Sequence, residues 1–169
     1  MDLTLKLTAN FTLGEMLRSA TADKHGIIEQ YTPDETIINA LKLLCENTLQ
    51  PLRNYVYEHY QAIIKVNSGY RCKRVNGLQP QASKTSQHMQ GEAADIILIK
   101  DGKVRNDLLV DAMMDVFAGS AHPYDQIIWE HGASAQNPAW VHISYNSNGP
   151  QRRQQLRPKG GRYIPYNLF

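Results

Sequence analysis

The segment Ala93-Ala94-Asp95-Ile96-Ile97-Leu98 sets the tightest condition on the fold. Its β-branched and aliphatic residues read as a strand, yet a carboxylate stands at its entry. Taking a carboxylate into an apolar sheet is costly unless it is paired, hydrogen-bonded or bound to metal. Asp95 therefore either accepts backbone hydrogen bonds at a strand start or faces cationic partners. The residues before it are Ser86-Gln87-His88-Met89-Gln90-Gly91-Glu92. His88 lies at the mouth of a polar loop, and Gly91 lets the chain turn sharply. Ala93 and Ala94 are small enough for neighbouring backbone, or a metal, to approach closely.

The rest of the chain must supply a core for that strand. The first ten residues read as an extended arm. Thr12 and Glu15 form a capping box at the start of a short helix. Thr32 is the expected N-cap of a longer helix, with Pro33 at its first position and Glu35 completing a box. Ile37, Leu41, Leu44 and Cys45 recur at helical spacing. This helix is expected to reach about Gln50 and to resume after Pro51 through Tyr60. Ile63–Ser68 reads as a strand, 72–87 as a long functional loop, and Asp101-Gly102 as a turn. Asn106 through Phe117 reads as a helix with Leu109, Met113, Val116 and Phe117 on one face. Gln126–Trp129 and Trp140–Tyr145 read as two more strands. The tail from Gly149 is basic and glycine-rich, and either folds back on the body or stays mobile. Helices come first and strands dominate the second half. That order predicts an α+β fold, with a small, mostly antiparallel sheet covered on one face by helices. The 169 residues suit one domain, with a core over about 10–146.

Among six histidines, two stand in informative company. His142 alternates with Val141 and Ile143, so it faces away from two core residues. Two histidines and one carboxylate are a sufficient set for a catalytic Zn²⁺ with its fourth position open.

The run Ser86-x-His88-x-x-Gly91-x-Ala93-x-Asp95, followed by Trp140-Val141-His142, resembles the peptidase M15 family. That family holds zinc D-alanyl-D-alanine carboxypeptidases and related peptidoglycan peptidases, with the hedgehog signalling domain as a fold relative. Val66-Asn67-Ser68-Gly69-Tyr70-Arg71 is similar to the strand-to-loop element before the family's metal site. The resemblance covers roughly residues 10–146. It implies His88, Asp95 and His142 as zinc ligands and Arg71 as a catalytic and substrate-binding residue. It sets Ser86 beside the first ligand, to bind substrate or orient His88, and leaves Tyr70 between substrate binding and packing. Many relatives carry an acid three positions before the last histidine, and here that residue is Ala139. The nearest candidate base is Glu130. If its strand pairs antiparallel with Trp140–Tyr145, Glu130 faces the same side as His142. Asp125 and His131 are the fallbacks.

The expected function is zinc-dependent cleavage of peptide bonds involving D-amino acids in peptidoglycan, by a carboxypeptidase or an endolysin-type endopeptidase. The alternative, motivated by Ala139, is a non-catalytic binding module of the same fold. A net charge of +2 gives no reason to expect nucleic acid as a partner. Nor does any stretch approach the roughly 18 apolar residues of a membrane helix. Two cysteines make no disulfide framework. Residues 1–6 do not read as a signal peptide. The sequence does not fix the oligomeric state, for which a monomer is the default expectation; the chain is expected to be cytoplasmic as synthesised and to act on the wall in the manner of a phage or prophage lysis enzyme.

Overall fold

The computed structural model describes residues 1–80, 82–119, 122–132, 134 and 136–167. Helices α1 (Leu13–Leu17), α2 (Ala20–His25), α3 (Glu35–Leu44) and α4 (Gln50–Tyr60) precede strand β1 (Ile63–Ser68). A short helix α5 (Lys73–Gly77) and a 3-10 turn (Gln87–Gln90) lead into β2 (Ala93–Lys100) and β3 (Lys103–Val104). Helix α6 (Asn106–Phe117) is followed by β4 (Gln126–Glu130), β5 (Trp140–Ser144), β6 (Gln154–Lys159) and β7 (Arg162–Pro165). The fold is α+β, and its seven-stranded sheet runs β1-β2-β5-β4-β6-β7, with β3 also paired to β2. All pairings are antiparallel except β4 with β6, which is parallel.

Local chemistry explains most boundaries. The Thr12–Glu15 capping box forms at α1. Asp34, rather than Thr32, caps α3: its carboxylate accepts from the Ile37 amide, and the helix begins at Glu35. The segment Thr32-Pro33 stays non-helical, as a residue preceding proline prefers. Helices α3 and α4 are continuous through a π-helical turn, Cys45–Leu49. Pro51 cannot donate to the ladder, and a widened turn just before it accommodates that loss. The expected loop over 72–87 contains α5, started by Cys72, whose thiol accepts from the Val75 amide.

The sheet has two unlike faces because side chains alternate. Ala94, Ile96, Leu98, Ile127, Trp129, Val141 and Ile143 form one core with Leu41, Leu44, Leu52, Val56, Met113 and Phe117 of the helices. Asp95, His142 and Ile128 lie opposite one another in register on the other face. The expected layering, with helices on one face, thus frees the second face for a site. The tail folds back as β6 and β7, extending the sheet beyond the strands read from the sequence. Among the described residues no helix is long and apolar enough to cross a membrane.

Candidate active site

A β-bulge prepares the site. Val66 pairs with Ile96, but Ser68, not Asn67, pairs with Asp95. The extra residue bends β1 and redirects its end. Gly69 then passes so close to α1 that a Cβ would lie 2.4 Å from the Met16 carbonyl oxygen. The Tyr70 amide donates to that same oxygen at 2.8 Å. Gln30, fully buried, secures the next residues: its amide donates to the carbonyls of Leu17 (2.8 Å) and Tyr70 (2.7 Å), and accepts from the Cys72 amide (2.9 Å).

The 3-10 turn bearing His88 docks on this element. The Arg71 amide donates to the His88 carbonyl at 3.1 Å, and His88 Nδ1 donates to the Gly69 carbonyl at 2.7 Å. Gly91 ends the turn at φ +71, where a Cβ would stand 2.7 Å from the Ile37 carbonyl oxygen of α3. The Gly69 bond fixes the His88 tautomer. With the proton on Nδ1, the neutral ring turns its Nε2 lone pair towards Asp95 and His142.

Three ligand atoms converge there. His88 Nε2 lies 3.1 Å from His142 Nδ1 and 3.3 Å from Asp95 Oδ1, and the latter two are 3.1 Å apart. Ligands at 2.0–2.1 Å around a tetrahedral zinc stand about 3.3 Å apart, so this triangle has the right size. Its chemistry agrees. A lone pair on His88 Nε2 facing a carboxylate oxygen calls for a cation between them. His88, Asp95 and His142 are accordingly a group that can hold a metal ion. Burial opposes ionisation of Asp95, but positive charge on its facing side, from His88 first and then His142 when they are protonated, holds its carboxyl far below the usual range; a bound cation would supply that charge when both rings are neutral. Burial pushes His142 below the ordinary imidazole range, despite its bond to Asp95, and favours the neutral ring that a metal requires.

These residues line a cleft of about 1220 Å³ together with Arg71, Ser86, Glu130 and Tyr163. Arg71 Nη2 donates to Ser86 Oγ at 3.4 Å, while its Nε is buried without a hydrogen-bond partner among the described residues. Burial lowers the Arg71 pKa, and Asp95 opposes that shift. Glu130 pairs with Trp140 in the register that sets Ile128 opposite His142. Glu130 and His142 therefore project from the same face, two residues apart along the ladder. Glu130 Oε1 accepts from the Tyr163 hydroxyl at 2.7 Å, and Oε2 is buried with no hydrogen-bond partner among the described residues.

The other expected residues fall differently. Tyr70 does not line the cleft; it packs between the main core and a small cluster of Ala22, Ile27, Cys72 and Val75. Asp125 is fully buried and committed to structure, bonded by the Arg152 guanidinium, the Arg152 amide and Gln87 Nε2. His131 is largely exposed at the cleft rim, with Nε2 3.8 Å from Glu130 Oε2. At Ala139, where many relatives carry an acid, the amide donates to the Glu130 carbonyl at 2.9 Å. Sequence reasoning missed Tyr163 and Gln30. Tyr163 stands in a basic tail without clean alternation, and Gln30 carries no local signal of burial.

A protein-family model described as Peptidase M15 matches residues 9–121. The matched stretch holds Arg71, Ser86, His88 and Asp95, while Glu130, His142 and Tyr163 lie beyond it. No curated protein matches the chain.

Proposed function

The chain belongs to the peptidase M15 family, and from that premise we propose that it is a zinc metallopeptidase cleaving D-residue peptide bonds in peptidoglycan. The observation that carries this reading is the triangle of His88 Nε2, Asp95 Oδ1 and His142 Nδ1, sized for a tetrahedral ion with an open position.

His88, Asp95 and His142 would hold a zinc ion, which would supply Lewis acidity towards a peptide carbonyl and towards water. Glu130 accepts the proton of the attacking water and delivers it to the leaving amine. Its Oε2, which accepts no hydrogen bond from the described residues, suits that role. Arg71 presents its guanidinium to the substrate oxygen on which negative charge grows, and Ser86 holds that guanidinium from the side. The cleft exceeds the usual range for a single small ligand, which favours a peptide segment over a free dipeptide. Stem peptides are the proposed partner and the wall the proposed place of action.

The test uses zinc-loaded protein and two synthetic stem peptides, one with the natural D-residues and one all-L. Cleavage confined to a bond beside a D-residue is expected. Equal cleavage of both would remove the D-specificity. Zinc binding without cleavage of either would favour a binding module.

A further inference from the structure

The C-terminal hairpin brings a phenol to the site. Strand β6 pairs with β4 at Gln126, Ile127 and Ile128, stopping short of Glu130. Leu156 lies opposite Ile128, so Pro158, two residues on, shares the site face. Strand β7 sets Tyr163 opposite Pro158, on that same face. The Tyr163 hydroxyl thus arrives where the β4 ladder is no longer covered and donates to Glu130 Oε1 at 2.7 Å. Burial, and then Glu130, push this hydroxyl above the ordinary phenol range, so it remains a donor at neutral pH. Tyr163 lines the same cleft as Asp95, His142 and Arg71.

We propose that Tyr163 is a positioning residue for Glu130, holding Oε1 so that Oε2 alone faces the proton it must take. The inference rests on reading Glu130 as the base. A carboxylate with both oxygens unheld turns freely about its last bond, and a mis-set base loses rate steeply. The hairpin supplies the restraint, and it also shields the carboxylate from solvent. The competing account is that Tyr163 merely fastens the hairpin.

A double-mutant cycle separates the two. Zinc-loaded wild type, Tyr163→Phe, Glu130→Gln and the double variant are compared on one stem peptide, with zinc content measured for each. Tyr163→Phe is expected to lower kcat about ten-fold with KM within about two-fold and zinc retained. In the Glu130→Gln background the same change is expected to alter the residual rate less than about two-fold. Ile164→Ala, which loosens the same hairpin without touching Glu130, is expected to leave kcat near wild type. In metal-free protein labelled at tyrosine Cζ, the Tyr163 NMR signal is expected to shift when Glu130 becomes Gln. An additive cycle, an unchanged kcat in Tyr163→Phe, an equal loss in Ile164→Ala, or an unmoved Tyr163 signal would each overturn the proposal. Inactive wild type would instead overturn the peptidase reading and, with it, the role of Glu130. Activity with an additive cycle would remove only the role of Tyr163.

Discussion

At the scale of residues, the site works by opposed pressures on a few groups. Asp95 is carried into the sheet against the cost of burial, and positive charge facing it, on the two imidazoles when protonated or on a bound cation when they are neutral, offsets that cost. His88 is committed to one tautomer by the Gly69 carbonyl, which leaves its other nitrogen for the centre of the site. Glu130 is ringed by Tyr163 and, more distantly, His131. Replacing Glu130 by Gln keeps the shape and removes the basic oxygen. We expect Glu130→Gln to lower kcat by about 10²–10⁴ with zinc retained, as loss of a general base does; steady-state kinetics with parallel metal analysis checks this. Arg71→Lys keeps a positive charge but loses the planar fork. It is expected to lower kcat/KM about ten-fold or more, corresponding to one lost charge-assisted hydrogen bond. A near wild-type value would show that Arg71 acts only as a distant charge.

At the scale of elements, the site depends on segments that carry no chemistry themselves. The bulge in β1 and the close passage of Gly69 against α1 fix the carbonyl that orients His88. Gly69→Ala would drive a methyl into the Met16 backbone. We expect a stability loss of about 2–3 kcal/mol in urea denaturation, in the range for an overpacked contact. Zinc affinity should fall about ten-fold in chelator competition, as when a partner that orients a ligand is disturbed. At the other end, Asp125 anchors the chain entering β6. Burial alone would raise its pKa, but the Arg152 bonds outweigh this and hold it below the ordinary carboxylate value. The folded form therefore binds a proton less readily than the unfolded chain. The stability contributed by Asp125 is fully present above about pH 4, where an unfolded aspartate is ionised, and is lost as pH falls through the lowered folded value. Asp125→Asn should be less stable than wild type at pH 7, and that difference should shrink on acidification into this range. A pH-independent difference in thermal unfolding would contradict the assignment.

At the scale of the whole molecule, one face of the sheet is packed by helices and the other carries the cleft. Alternation around His142 in β5 made part of this division legible, whereas β2 and β4 are apolar on both faces and take their facing only from the register. The helix over Asn106–Phe117 and the capping box at Thr12 were legible because their signals are local. The C-terminal strands were not. Gln154–Lys159 has no hydrophobic period and includes a proline, and its place is set by Asp125 and Arg152, some 27 residues apart in sequence. The roles of Gln30 and Tyr163 were hidden likewise, because each depends on a partner brought near only by folding. Tyr70 shows the converse: a residue beside a recognisable element packed into the core rather than facing the cleft. On the proposed reading, His88, Asp95 and His142 together hold one zinc ion. Its most direct test is metal analysis of purified wild type and His88→Ala after equal exposure to zinc, with X-ray absorption on the wild type. One zinc per wild-type chain is expected, with nitrogen and oxygen ligands at about 2.0–2.1 Å, and its loss in the variant. Wild type without zinc, or a variant that binds it equally well, would contradict the claim.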